Sequence, residues 1–204
     1  MITIVIHSYR YGHLAAHCLE TVLSQTLEPT EILFIDDGVG DCKFIPKMYP
    51  QVEFIERKST LGQVESFNNA LSMISTKYYM MIGADNWLRC DALEVLLMRE
   101  ADIISYDLVV TGSEKKCWSK KTNDSSKIYE GGYYWSRKGL HHGSMILNTI
   151  KAKQCGYGSY ISKDNKICED YYLYSKMLES GSSYNHVAEG LLYYRKHRFN
   201  YNGL

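Results

Sequence analysis

The sequence predicts an α/β protein whose mostly parallel sheet is flanked by helices, and three observations carry that reading. Short apolar runs recur along the chain, apolar residues at helical spacing lie between them, and the alternation of the two persists through about residue 111. The runs occupy residues 2–6, 31–35, 52–55, 78–82 and 103–110. Each is short, and several are apolar on both faces, as strands covered on two sides are. Leu14, Ala15, Cys18, Leu19, Val22 and Leu23 then mark a first helix, and Val64, Phe67, Leu71 and Ile74 a second. Leu93, Leu96 and Leu97 mark a third, with Asp91 placed as its N-cap.

After residue 111 the alternation stops. Residues 112–127 are polar and Lys-rich without periodicity, which predicts a loop over or beside the site. A last helix is expected over 169–179 with Gly181 as its C-cap, followed by a strand over 190–194. With 204 residues and 45% apolar content, one domain spanning 1–204 is expected.

Lys plus Arg and Asp plus Glu both number 23, so no bulk basicity draws the chain to nucleic acid or an anionic membrane. Six cysteines without a C-x-x-C pair or zinc-finger spacing argue against a zinc site or a disulfide scaffold and fit a reducing compartment. The apolar run at residues 2–6 meets His7 and Arg10, far short of the roughly 20 residues of a membrane span. A cytoplasmic protein without a transmembrane segment is expected.

Open α/β sheets bind ligands beyond the carboxyl ends of their strands, so the polar residues ending each run are the first candidates. They are His7-Ser8-Tyr9, Asp36-Asp37-Gly38 and Gly83-Ala84-Asp85-Asn86-Trp87. An Asp pair there accepts hydrogen bonds from a base or ribose, and a Tyr beside it stacks on the base; the plain alternative is a turn, for which Asp-Gly is ordinary chemistry. Asp85 is the type of ligand that Mg²⁺ or Mn²⁺ takes, with an Asp-Asn turn as its alternative. Glu169-Asp170 opens a helix, where acidic side chains also favour the macrodipole, so a general base and a structural role compete. Arg195-Lys196-His197-Arg198 reads as a contact for a diphosphate or as a solvated run.

Taken in order, these segments resemble glycosyltransferase family 2. TIVIHSYRYGHLAAHCLETVLSQT resembles its opening strand and helix, and EILFIDDGVGD its acidic strand end D-D-G-S. RKSTLGQVESFNNAL resembles N-x-G-x-x-x-A-R-N-x-G, and YYMMIGADNWL the D-x-D segment. KICEDYYLYSKMLESG resembles the E-D helix, and LLYYRKHRFN the closing Y-R-x-H-x-x-N. The resemblance implies a GT-A (Rossmann-like) fold and an inverting transferase that moves a sugar from a nucleotide diphosphate, a UDP-sugar above others, to an acceptor hydroxyl. It implies a nucleotide-binding part over about 1–111 and an acceptor-side part over about 112–204. Tyr9 would stack on the base, His7 line its pocket, and Asp37, with Asp36 beside it, bind it. Gly62 would let the loop backbone pass close to the nucleotide. Ala84 and Asp85 would meet ribose and a divalent cation, Mn²⁺ or Mg²⁺, with His197 near the metal or diphosphate, and Asp170 would deprotonate the acceptor.

Three departures stand out: Gly83 and Ala84 replace residues often acidic in D-x-D, Phe67 replaces the Arg of A-R-N, and the sequence stops at Leu204 without the membrane helices or extra domains of many relatives. Two rival readings are a nucleotidyltransferase, disfavoured by a first turn with the single Gly12, and a non-catalytic nucleotide-sugar or glycan-binding module, against which Glu169-Asp170 stands. The lysines and tyrosines between Lys115 and Tyr134, with His141 and His142, are read as a wall for the acceptor. A glycan, a glycolipid, a protein-linked glycan and a nucleic acid all stay open.

Overall fold

The computed structural model describes residues 1–112, 128–129, 132–135, 145–159, 169–197 and 200. Its elements run β1 (Ile2–Ser8), α1 (Gly12–Leu23), β2 (Glu31–Asp36), α2 (Ile45–Met48), β3 (Glu53–Glu56), α3 (Gln63–Met73), β4 (Tyr78–Gly83), β5 (Trp87–Leu88), α4 (Ala92–Leu97), β6 (Ile103–Gly112), β7 (Ile128–Tyr129), β8 (Gly132–Trp135), β9 (Met145–Asn148), α5 (Thr149–Cys155), α6 (Glu169–Glu179) and β10 (Tyr184–Lys196). The sheet order is β3-β2-β1-β4-β9-β6-β10-β5, with β8 on β6 and β7 on β8.

The long ladders are parallel: β1 with β2 and β4, β2 with β3, and β6 with β10. The short ones, through β5, β8 and β9, are antiparallel. Alternation along the strands divides the core into two layers. Ile2, Ile4 and Ile6 of β1 face α1 and α4, joining Ala15, Leu19, Leu93 and Leu96. Val5, with Tyr79 and Met81 of β4, faces α3, α5 and α6, joining Phe67, Leu71, Leu173 and Met177. A strand apolar on both faces is what such a three-layer arrangement requires, and the strong apolar runs of β1, β2 and β4 follow from it.

The chain leaves β1 toward β2 on one side and returns to β4 on the other, so the strand order reverses between β1 and β4. That switch point opens a crevice at the carboxyl ends of the two strands. His7 pairs with Gly83 across it, and the Ala84 amide donates to the His7 carbonyl at 3.0 Å.

Several expectations need correction. Asp91 stands at the start of α4 but makes no side-chain cap, because Arg89 takes its carboxylate. The last strand spans Tyr184–Lys196 rather than 190–194, its helix-facing pattern broken by register shifts around Gly190 that hide the regular alternation. The 169–179 helix forms as read, and Gly181 follows it at φ 82°, with the Gly181 amide on Leu178 O and the Ser182 amide on Met177 O. Of the loop expected over 112–127, Gly112 ends β6 and 113–127 lie outside the described residues. Among the described residues, no helix is long and apolar enough to cross a membrane, and the described cysteines 18, 42, 90 and 155 are free thiols.

Candidate active site

The end of β2 is a dense polar corner. Asp36 is fully buried; its Oδ1 accepts the amides of Val39 and Gly40 at 3.1 and 3.0 Å, and its Oδ2 the amide of Cys42 at 3.0 Å. It therefore holds the loop after β2, the turn role left open for this pair. Asp37 has a different environment. Its Oδ1 accepts from Arg57 Nη1 at 2.7 Å and from Ser66 Oγ at 3.3 Å, and its Oδ2 accepts from Thr60 Oγ1 at 2.7 Å. Burial pushes the Asp37 carboxyl up, but the hydrogen bonds from Thr60 and Arg57 and the adjacent positive charge outweigh it and hold the group below the usual carboxylate range.

His7, at the end of β1, shares this corner: its Nε2 is 2.6 Å from Ser66 Oγ and 3.8 Å from Asp37 Oδ2. Burial, with Arg57 acting against it, takes the imidazole down to about 4 even though Asp37 pulls the other way, so the ring is neutral near pH 7. Arg57 has no place among the expected site residues, yet its terminal nitrogens reach Asp37, both the hydroxyl and the carbonyl of Ser66, and Asn69 Oδ1. The signal that would have found it is the rule applied to the other strands: it is the polar residue just after β3. Gly38 permits the closure of this corner, because at φ 84° a Cβ there would lie 2.4 Å from the 59–60 backbone.

Tyr9 follows β1, half-buried, with the Arg10 guanidinium 5.1 Å from its ring centre. Gly62 sits at φ 77° before α3, and a Cβ there would meet nothing within 4 Å, so the backbone borders open space. Its carbonyl accepts the Ser66 amide at 2.9 Å.

Beyond β4, Ala84 is fully buried and Asp85 nearly so. Asp85 Oδ2 lies 3.1 Å from His197 Nε2 and accepts Asn200 Nδ2 at 3.0 Å, while Oδ1 accepts Asn86 Nδ2 at 3.0 Å. A Cβ on Gly83 would stand 2.6 Å from Asp85 Oδ1, so the missing side chain is space that the Asp85 carboxylate uses. The Arg195–His197 stretch is no solvated run. Arg195 lies 4.6 Å over the Trp87 ring and donates to Asp85 O at 3.0 Å, Lys196 is buried, and the His197 ring meets Tyr11 edge-on.

Asp85 and His197 side by side offer one carboxylate and one imidazole, ligand types that a hard divalent cation accepts once the Asn86 and Asn200 amides that donate to Asp85 give way to it. A second grouping, Asp36, Asp41 and Cys42, brings three potential ligand atoms within 4.8 Å of one another. It does not fit a cation: Asp36 is spent on amides, Asp41 Oδ2 takes the Gly12 amide, and burial pushes the Cys42 thiol up to about 12, leaving it protonated.

Asp170 lies in the first turn of α6 with Glu169 before it, apart from both aspartate corners in sequence but linked to the β2 corner through Tyr157. The His7 ring meets Phe67 edge-on at 5.3 Å, Phe67 meets Tyr157 at 5.4 Å, and Tyr157 is raised above its ordinary value by burial, Tyr79 and the charges of Asp170 and Glu169. Asn68 pins this link, exchanging two 2.8 Å hydrogen bonds with the Tyr157 backbone. Phe67, where the resemblance has an arginine, is thus an apolar bridge between strand end and helix. The acceptor wall expected over Lys115–Tyr134 and at His141 and His142 lies outside the described residues, apart from the backbone pairing of β7 and β8.

Over nearly its whole length the fold matches Staphylococcus aureus TarS, including a crystal structure in complex with UDP-GlcNAc: TM-score 0.72, 11% identity, 98% of this chain and 59% of that one. The architecture is the expected GT-A one. In sequence the chain is 25% identical to an uncharacterized glycosyltransferase of Haemophilus influenzae, covering 97% of this chain and 66% of that protein. It is 26% identical to a chondroitin synthase of Escherichia coli, over 93% of this chain and 29% of that one, and 26% identical to a hyaluronan synthase of Pasteurella multocida, over 93% and 21%. The chain thus spans from about a fifth to two thirds of the length of these relatives. The model of glycosyl transferase family 2 matches residues 3–165, and the chain belongs to that family.

Proposed function

We propose that the chain is an inverting glycosyltransferase that moves a sugar from a UDP-sugar to an acceptor hydroxyl, as a single domain with the nucleotide on residues of about 1–111 and the acceptor on the remainder. The observation that carries the reading is the convergence of Asp37 and Asp85, from two strands, on the crevice beside β1. The names of the relatives and the TarS complexes with UDP and UDP-GlcNAc support the donor class.

In this reading Tyr9 stacks on the base, Asp37 accepts a hydrogen bond from it, and neutral His7 lines the pocket, while Asp36 shapes the loop. The Gly62 backbone passes beside the nucleotide and the Ala84–Asp85 turn meets the ribose. Asp85 and His197 would hold a divalent cation, Mn²⁺ or Mg²⁺, which when bound neutralises charge on the leaving diphosphate. Asp170 takes the acceptor's proton as the acceptor oxygen bonds to the anomeric carbon, and the bond to the diphosphate oxygen breaks with its electron pair leaving on the diphosphate. One displacement inverts the anomeric centre. The acceptor is a glycan or glycoconjugate, in keeping with the relatives' names, and a cytoplasmic location fits free thiols and nucleotide-sugar supply.

The test is calorimetric titration of UDP, GDP and dTDP with Mn²⁺ and then EDTA, with Asp85→Ala as control. Metal-dependent UDP binding weakened by the substitution is expected. Absence of nucleotide binding under every condition would sink the reading and favour a non-catalytic relative.

A further inference from the structure

We infer that Arg57 is the positioning residue that sets nucleobase choice, by fixing Asp37 as an acceptor with one hydrogen-bonding position left for the base. The inference rests on the nucleotide reading above and adds the residue that makes it selective.

The geometry is specific. Nη1 of Arg57 bonds Asp37 Oδ1 and Ser66 Oγ, and Nη2 bonds Ser66 O and Asn69 Oδ1. Both terminal nitrogens are thus occupied within the protein, and the guanidinium, 7% exposed, is placed to orient a neighbour rather than to clasp a diphosphate. Arg57 and Ser66 fill Asp37 Oδ1. Among the described residues Oδ2 takes the Thr60 hydroxyl, with His7 Nε2 at 3.8 Å, so it keeps acceptor capacity, and the side chain keeps 4% of its surface open. A carboxylate has no hydrogen to give. It pairs with a base that presents an N–H at that edge, as uracil and thymine do at N3, and it faces a lone pair in cytosine. A site built to accept such a hydrogen rejects the isostere lacking it far more strongly than an apolar pocket would.

The position also accounts for Phe67. The family arginine is missing from α3, and the buried cation of this corner enters instead from the segment after β3, anchored on α3 through Ser66 and Asn69. Phe67 is then free to join His7 to Tyr157. The groups facing Asp37 are His7 from β1, Arg57 and Thr60 from the segment after β3, and Ser66 from α3; neighbouring Asp36 is turned to its loop amides. Once Arg57 is neutralised, burial favours the protonated Asp37 carboxyl against the remaining neutral donors, and its protonation moves to higher pH.

The experiment measures UDP and CDP affinity by calorimetry at pH 7 and pH 5 for the wild type, Arg57→Gln, Arg57→Lys and Asn69→Ala, with circular dichroism as a folding check. The wild type is expected to prefer UDP over CDP at least about tenfold, and Arg57→Gln to lose about tenfold or more in UDP affinity, because a misplaced Asp37 carboxylate loses its charged hydrogen bond to the base. The UDP:CDP ratio should collapse with it, and UDP affinity should fall between pH 7 and pH 5 beyond the wild-type change. Arg57→Lys should restore the pH behaviour through its charge and only part of the preference, since it lacks the fork. Should Arg57→Gln fail to fold, Asn69→Ala gives the reading, because it frees the guanidinium while keeping the charge and should lower the ratio at both pH values. An unchanged ratio in the folded variants overturns the inference and leaves the nucleotide reading standing; a wild type that binds neither nucleotide overturns both.

Discussion

At the end of β2, Asp37 is held by Arg57, Thr60 and Ser66, which lie 20, 23 and 29 residues further along, and Asp36 by amides within 6 residues. At the end of β4, Asp85 is held by His197 and Asn200, which lie 112 and 115 residues away. The cost of closing a loop rises only slowly with its length, so the distant corner is not weak for that reason alone. It does depend on β10 docking parallel to β6, which brings Arg195 and His197 back to the crevice. The corner at the end of β2 is therefore complete within the first 69 residues, whereas the corner at the end of β4 is complete only when the last strand is in place. Substitutions can separate the two.

The largest effect expected belongs to neither corner. Asp170→Asn should lower transfer by about 10² to 10⁴, the usual span for removing a general base, with UDP affinity unchanged in calorimetry. Loss of both would assign Asp170 a structural part and merge the acceptor side with the corners.

The comparison itself is broken or kept by Asp36→Ala against Asp85→Ala. The first leaves three backbone amides without their acceptor, that of Cys42 buried, and should cost about 3 kcal/mol in urea unfolding; the second leaves three side-chain donors, of which only that of Asn86 is buried, and should cost about 2 kcal/mol while abolishing metal-dependent binding. Equal losses of stability would mean that both corners hold the fold alike.

His7 titrates at about 4 in the folded chain against an ordinary 6.5, so the unfolded chain binds its proton first. The stability it provides is fully present above pH 6.5 and is lost as the pH falls toward 4, by up to about 3 kcal/mol, and His7→Gln should flatten that slope in thermal melts. Glu169 has the opposite sign. Burial raises it from 4.5 to about 7, so its cost is absent at low pH and grows as the pH rises through that window. Glu169→Gln should therefore stabilise by up to about 3 kcal/mol at pH 8 and leave pH 4 unchanged, and a gain at both would show that the charge is not the cause.

The strands that carry the site were legible because they are buried on both faces and read as apolar runs; so were α1, α3 and α6, through their spacing. The two-residue β5 and four-residue α2 are too short to show a period, and β9 with α5 follows a segment of no periodicity. Among the proposed site residues, Asp37, Asp85 and His197 stood at strand ends or in ordered motifs. Arg57 was passed over because its strand, Glu53–Glu56, is only partly buried, and a charged residue after such a strand reads as solvated. The 2.7 Å bond to Asp37 depends on β3 lying beside β2 in register, which no local pattern encodes.

By itself the sequence determined the layers, the strand ends and the kinds of group they carry, because apolar periodicity and turn chemistry act over a few residues. Only the tertiary structure decided how neighbouring groups divide their work: Asp36 to the loop and Asp37 to the crevice, Gly83 as room for a carboxylate, Lys196 buried and Arg195 on Trp87. These assignments follow from which strands pair and in what register, and a hydrogen bond formed or missed at 3 Å is settled by that pairing rather than by residue type.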